Sequence, residues 1–246
     1  MNDGPAYERV ADQLRDAILA DELNGRLPSL GGLADRYGTT VDVARRAVDI
    51  LRSEGLLVTR QGSGTYVRRF QRITRTSPAR LAHEQWAAGR AIQDADTGVR
   101  PRTVDVIVSE VPAPDYVAEA LGVQVGAAVL SRARRFMVDK RPVQISQSFI
   151  PLDIASDSRI AYTDVGPGGT YGRLAELGFA PVRFTERLTA RAPRPDEVER
   201  LDLGSSVGAT VIEITRNAYT EAGRCVEVNR MVLDATAYEL VYAFDA

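Results

Sequence analysis

Apolar residues recur at three- and four-residue intervals through the first fifty positions and gather into strand-like runs through most of the remainder. Tyr7, Val10, Ala11, Leu14, Ala17 and Ile18 share one helical face behind Pro5, and that helix should stop near Asn24-Gly25. Ser29 is placed to cap a second helix with Leu30, Leu33, Ala34 and Tyr37 on its apolar side, and Gly38 to end it. Thr39 or Thr40 caps a third, whose buried face is Ala44, Ala47, Val48 and Leu51. Asp42, Arg45, Arg46, Asp49 and Arg52 then face outward. Leu56–Thr59 and Thr65–Val67 read as strands joined by Gln61-Gly62-Ser63-Gly64. Two helices across a tight turn, followed by a glycine-tipped hairpin, make a winged helix-turn-helix. In that motif the start of the second helix of the pair meets base edges, which places Thr40, Arg45 and Arg46 as contacts. Asp42–Arg46 and Arg45–Asp49 also have the spacing of surface ion pairs, an alternative the helix alone leaves open.

The pattern changes after residue 70. Phe70–Ala79 is polar and basic with a Ser-Pro break, as an interdomain linker would be, and 80–94 is helix-like. Strands are predicted at 104–111, 129–138, 143–150, 182–192, 210–220, 225–233 and 238–244, and short helices at 115–121, 171–177 and 196–201. Hairpins dominate and no βαβ alternation appears, so the class is α+β with a largely antiparallel sheet. The expected organisation is a winged domain over 1–69, a linker over 70–79 and a second domain over 80–246.

Composition removes several alternatives. Cys225 is the sole cysteine and His83 the sole histidine, which excludes an internal disulfide and a cysteine zinc site and weakens any histidine-dependent triad. No apolar run approaches the ~20 residues of a membrane span, and no secretory signal is visible. A cytoplasmic protein with no membrane partner is expected. Net charge is -2, yet residues 45–75 hold eight arginines against Asp49 and Glu54, a local +6. A basic patch on a mildly acidic chain is the footprint of nucleic-acid binding. Arg60, Arg68 and Arg69 flank the hairpin, and the tip glycines Gly62 and Gly64 let backbone approach a narrow groove. The glycine-rich run Gly166–Gly172 lacks the Lys-Ser/Thr of a P-loop, so no nucleotide site follows. No catalytic residue, metal site or cofactor is expected.

Three blocks carry a resemblance: LPSLGGLADRYG at 27–38, VARRAVDILRSEGLL at 43–57 and RQGSGTYV at 60–67. They are similar in order and spacing to the DNA-binding domain of GntR-type bacterial transcription regulators. The resemblance implies DNA contacts from Ser29, Thr40, Arg45, Arg46, Arg60, Gly62, Ser63, Gly64 and Thr65. Leu30-Gly31 replaces the usual Glu-Arg, and Val41-Asp42-Val43 replaces Arg-x-Thr, which implies an altered operator. Further on, Ser148–Pro151, the glycine loop with Tyr171 and Gly178, and Val226–Arg230 resemble the ligand-sensing UTRA domain of the HutC subgroup, which has the chorismate-lyase fold. By that resemblance Arg134, Thr170, Tyr171, Glu227 and Arg230 contact a small-molecule effector of unknown identity. Ser146, Gly169 and Phe136 depart from the phosphosugar pattern. The function implied is a homodimeric, effector-responsive regulator of a double-stranded DNA operator, acting as a repressor. An enzyme of the chorismate-lyase fold with a tethered helical domain is the rival reading.

Overall fold

The computed structural model describes residues 4–60, 62–67, 72–96, 100–204 and 208–243, with backbone only at Arg60. The chain divides into two compact units. One holds residues 1–70 with 192–199 and 203–209; the other holds 71–191, 200–202 and 210–246.

The first unit contains helices α1 (Ala6–Leu19), α2 (Leu30–Arg36) and α3 (Val41–Ser53), then strands β1 (Leu57–Arg60) and β2 (Gly64–Val67). The predicted faces are the buried ones: Val10, Ala11, Leu14 and Ala17 of α1 pack with Leu33 and Ala34 of α2 and with Ala44, Ala47, Val48 and Leu51 of α3. Ser29 Oγ accepts the Gly32 N–H at 3.1 Å and Thr40 Oγ1 accepts the Val43 N–H at 3.3 Å, so both hydroxyls satisfy helix-start donors. Gly38, at φ +59°, supplies the left-handed residue of the turn between them. The hairpin is also tied to the segment before α2. Leu27 N donates to Thr65 O at 2.8 Å and Val67 N to Gly25 O at 2.7 Å.

The second unit begins earlier than the linker reading allowed. Residues 73–76 are strand β3 (Ile73–Thr76), and α4 (Ser77–Leu81) follows at once. Pro78 starts that helix rather than breaking the chain, because a proline in the first turn lacks only an N–H that would have no helical partner. The single helix read over 80–94 is instead α4, α5 (His83–Ala87) and a 3₁₀ turn at Ile92–Ala95. Next come β4 (Arg102–Pro112), α6 (Asp115–Leu121), β5 (Ala128–Val138), β6 (Arg141–Pro151), α7 (Leu152–Ala155) and α8 (Gly169–Glu176). They are followed by β7 (Arg183–Arg191), β8 (Val211–Tyr219), β9 (Cys225–Asp234) and β10 (Tyr238–Val241); α9 (Pro195–Arg200) falls between β7 and β8 in the chain, and its residues up to 199 belong to the first unit.

Six strands form one antiparallel sheet in the order β4-β5-β6-β9-β8-β7. The final strand was expected to extend it; β10 instead pairs in parallel with β3, tying the start of the unit to its end. Ile73 and Tyr238 are buried there, so the core that holds this pair is unit two's own. Alternation along β9 divides the sheet's faces. Val228 packs with α6 residues Val117 and Ala118 on one face. Glu227, Asn229 and Met231 point the other way, into a cavity.

Candidate DNA-binding surface and effector cavity

On α3 the exposed Arg45 is paired with Asp42 at 3.0 Å, and Arg52 is paired with Asp49. Each arginine takes the acid one turn before it, three residues back, rather than the four-residue partners the spacing suggested. Arg45 and Asp42 are 57% and 82% exposed, so their pair contributes little and exchanges readily for a phosphate or base. Arg46 differs: its guanidinium lies over the Tyr7 ring of α1 at 5.7 Å. The two adjacent arginines therefore have separate settings, one against solvent and one against α1.

The wing tip places Gly62 at φ +72° and Gly64 at φ +110°, conformations that L side chains rarely take. A Cβ on Gly64 would stand 3.0 Å from Arg26 Nε. Ser63 Oγ and Tyr66 OH share a hydrogen bond at 2.7 Å, and Thr59 and Thr65 hydroxyls another at 3.2 Å. Ser29, Gly64 and Thr65 come together with Arg26 around a hollow of about 380 Å³. Arg26, directly ahead of the LPS block, escaped the sequence reading although its charge and position were visible. The Arg60 side chain, Arg68 and Arg69 lie outside the described residues.

In the second unit, strand register builds one wall of the cavity. Ser146 on β6 lies opposite Arg134 of β5 and Met231 of β9, and Gln144 opposite Phe136. All five line the cavity, with Arg80, Thr170, Tyr171 and Glu227 on its other sides. Its volume is about 60 Å³. Four of the five expected effector residues are thus assembled there: Arg134, Thr170, Tyr171 and Glu227. Arg230 is not. It lies one residue out of phase on β9, on the opposite face, where it and Arg191 both hold Glu213 Oε2, at 2.6 and 2.5 Å.

The cavity's polar atoms are unequally provided for. Arg134 Nη2 donates to Ser148 Oγ at 2.5 Å, but Arg134 Nε has no hydrogen-bond partner among the described residues. The same holds for buried Thr170 Oγ1 and Glu227 Oε2. Buried polar atoms are normally satisfied, so a group of unsatisfied ones facing one space marks a place made for a polar ligand. Tyr171 is pushed well above the ordinary phenol range, by burial first and then by Glu227, so its hydroxyl keeps its proton. Arg216 Nη1 donates to that hydroxyl at 3.3 Å.

Behind Tyr171 lies a charged cluster that sequence reading did not assemble. Arg75 Nη2 and Arg216 Nε donate to Glu186 Oε1 at 2.5 and 2.9 Å, and Tyr242 OH donates to Oε2 at 2.9 Å. Both arginine side chains are fully buried and Glu186 is 6% exposed. Burial would raise the Glu186 pKa, but Arg216 and Arg75 outweigh it and hold the carboxyl at about 2. These residues lie far apart in the chain, so no motif could announce them. Arg80 opens the segment read as one helix over 80–94, and helical period alone does not say which of its residues enters a cavity.

Comparison with known proteins now gives the class. Residues 6–67 match the model of bacterial regulatory proteins, gntR family, and residues 96–239 match the UTRA domain. The chain belongs to the GntR family of bacterial transcription regulators and carries a UTRA domain; it is a ligand-responsive DNA-binding regulator. It is 30% identical to an HTH-type transcriptional regulator of Mycobacterium tuberculosis, covering 91% of this chain and 80% of that one. It is 28% identical to an uncharacterised HTH-type transcriptional regulator of Streptomyces coelicolor, covering 98% and 93%. The HTH-type transcriptional repressor NagR of Bacillus subtilis is 23% identical, covering 98% and 95%. In fold it is similar to PhnF from Mycobacterium smegmatis, with a TM-score of 0.59, 20% identity, and 96% and 99% of the two chains covered. Among the described residues no helix is long and apolar enough to cross a membrane, and no cluster of potential metal ligands occurs.

Proposed function

We propose that this regulator is a cytoplasmic homodimeric repressor that leaves its operator when a small molecule occupies the cavity of the second unit. It acts by binding, not catalysis. The observation that carries the reading is the convergence of unpartnered buried donors and acceptors on one cavity, in a chain whose other unit is a winged helix-turn-helix. Repression is supported by the similarity to a named repressor. A homodimer suits a pseudo-palindromic operator, with one α3 in the major groove of each half-site. Thr40, Arg45 and the Gly62–Gly64 tip are the proposed reading elements, Ser29 and Thr65 flank them, and Arg46 and Arg60 add backbone contacts.

The enzyme alternative needs groups that exchange protons near neutrality. Tyr171 is held protonated and Glu186 ionised, each far from that range. Such groups suit a binding site that stays in one charge state.

The test is to recover genomic fragments bound by the purified full chain and to measure transcription from the neighbouring promoters in cells with and without the gene. Derepression in the deletion strain is expected. Unchanged or lower transcription overturns the repressor assignment. Light scattering on the protein–DNA complex should give two protomers per operator; one per operator overturns the dimer.

A further inference from the structure

Arg80 has the most unusual setting of any residue around the cavity. It comes from α4, ahead of the UTRA match. Its side chain is 2% exposed and it lines the cavity together with Arg134. Its Nε lies 3.3 Å from Asp96 Oδ1, an ion pair whose geometry makes no hydrogen bond, and Nη1 has no hydrogen-bond partner among the described residues. Arg75 and Arg216, buried nearby, are unlike it. Every guanidinium nitrogen of Arg75 and of Arg216 has an acceptor within hydrogen-bond range. A buried cation normally gains enough hydrogen bonds to offset its lost hydration, and Arg80 Nε and Nη1 gain none among the described residues. Burial, with Arg75 nearby, lowers its pKa to about 9, still above neutrality, so it remains a cation.

Arg80, Arg134 and Glu227 are the charged residues lining the cavity, and Asp96 pairs with Arg80. An anion entering the cavity would meet two cations. It would accept from Arg80 Nη1 and Arg134 Nε, while Glu227 Oε2 calls for a donor on the same ligand. Ala91, Ile92, Phe136 and Met231 offer an apolar wall for a carbon skeleton. A cavity of about 60 Å³, at roughly 10–15 Å³ per water-sized group, takes about four to six non-hydrogen atoms.

We infer that Arg80 is an effector-binding residue, and that the effector is a small organic acid whose carboxylate lies between Arg80 and Arg134 and whose hydroxyl or amino group donates to Glu227. This inference rests on the reading of the cavity as the effector site. Arg80 supplies a second cationic contact that Phe136, at its position on β5, does not.

The experiment titrates the full chain with glycolate and with β-alanine, following the fluorescence of Trp86. That residue is the only tryptophan of the chain, buried, and 6.4 Å from the Tyr171 ring. Neutral glycolamide and inorganic phosphate are run in parallel. Glycolate and β-alanine should give saturable changes that glycolamide does not, weakened at least tenfold in Arg80→Lys, which keeps the charge but loses the fork, and in Glu227→Gln. Arg80→Gln with Asp96→Asn removes both charges of the pair and serves if Arg80→Lys fails to fold. Full affinity in the Arg80 variants with loss in Glu227→Gln overturns the role of Arg80 and leaves the cavity reading standing. Full affinity in all variants overturns the cavity reading as well. Glycolamide binding as tightly as glycolate, phosphate binding alone, or no response to either acid overturns the ligand class.

Discussion

Replacing Glu186 by glutamine keeps the shape of the charged cluster and removes its carboxylate. Arg75 and Arg216, both fully buried, are then left as uncompensated cations beside each other. Removing one partner of a buried ion pair typically costs ~3–5 kcal/mol. Proton linkage gives an independent figure. The Glu186 carboxyl is held at about 2 against an ordinary value near 4.5, and a difference of about 2.5 at ~1.36 kcal/mol each is about 3 kcal/mol. Because the folded pKa is depressed, this stabilisation is fully present above pH ~4.5 and is lost as pH falls toward about 2. Urea unfolding at pH 7, followed by Trp86 fluorescence, reports on the second unit. With a urea dependence of ~2 kcal/mol/M, Glu186→Gln should lower the midpoint by about 1.5 M. Between pH 4.5 and 2 the wild type should lose stability that the variant has already lost, so their curves converge. A midpoint shift below about 0.3 M, or acid profiles that stay parallel, would refute the assignment of Glu186 as the counter-ion of two buried arginines.

Other outcomes follow from the same structure. Arg45→Ala should weaken operator binding by about 10- to 100-fold in a gel-shift assay, the ~1–3 kcal/mol of a base contact. Arg46→Ala, which loses a phosphate contact as well as its place over Tyr7, should weaken it by less than about tenfold and alike for all sequences; the reverse order would refute the placement of Arg45 as the outward reader. Gly64→Val forces a branched side chain into φ +110° and a Cβ against Arg26, so DNA affinity should fall with the wing's geometry while effector binding persists. Thr40→Ala removes the α3 cap and should lower the stability of the winged unit by ~1 kcal/mol in calorimetry.

The winged helix-turn-helix was almost wholly legible because its information is local, whereas the return of residues 192–199 and 203–209 to the same unit was not. Ser29 and Thr40 cap the helices that follow them, the buried faces obey a 3.6-residue period, and the tip glycines take the conformations that require glycine. The second unit was legible as strands but not as a site. Alternation along β9 decides that Glu227 enters the cavity and Arg230 does not, and a sequence gives the period without the phase. The β3–β10 pair joins residues about 165 apart, which no local signal reveals. Arg75, Arg216 and Glu186 meet only through that topology, and Arg80 opens the 80–94 segment, whose helical period does not show that it enters a cavity.

If α3 and the wing bind a specific DNA site through phosphate as well as base contacts, affinity must depend on both salt and sequence. The most direct test of this is the affinity of the full chain for a recovered genomic fragment, measured across a range of salt concentrations against a scrambled fragment of equal length. The expected result is binding at least a thousandfold tighter to the genomic fragment, with a log–log salt slope of about −4 or steeper. Equal affinity for both fragments, or a slope near zero, would contradict it.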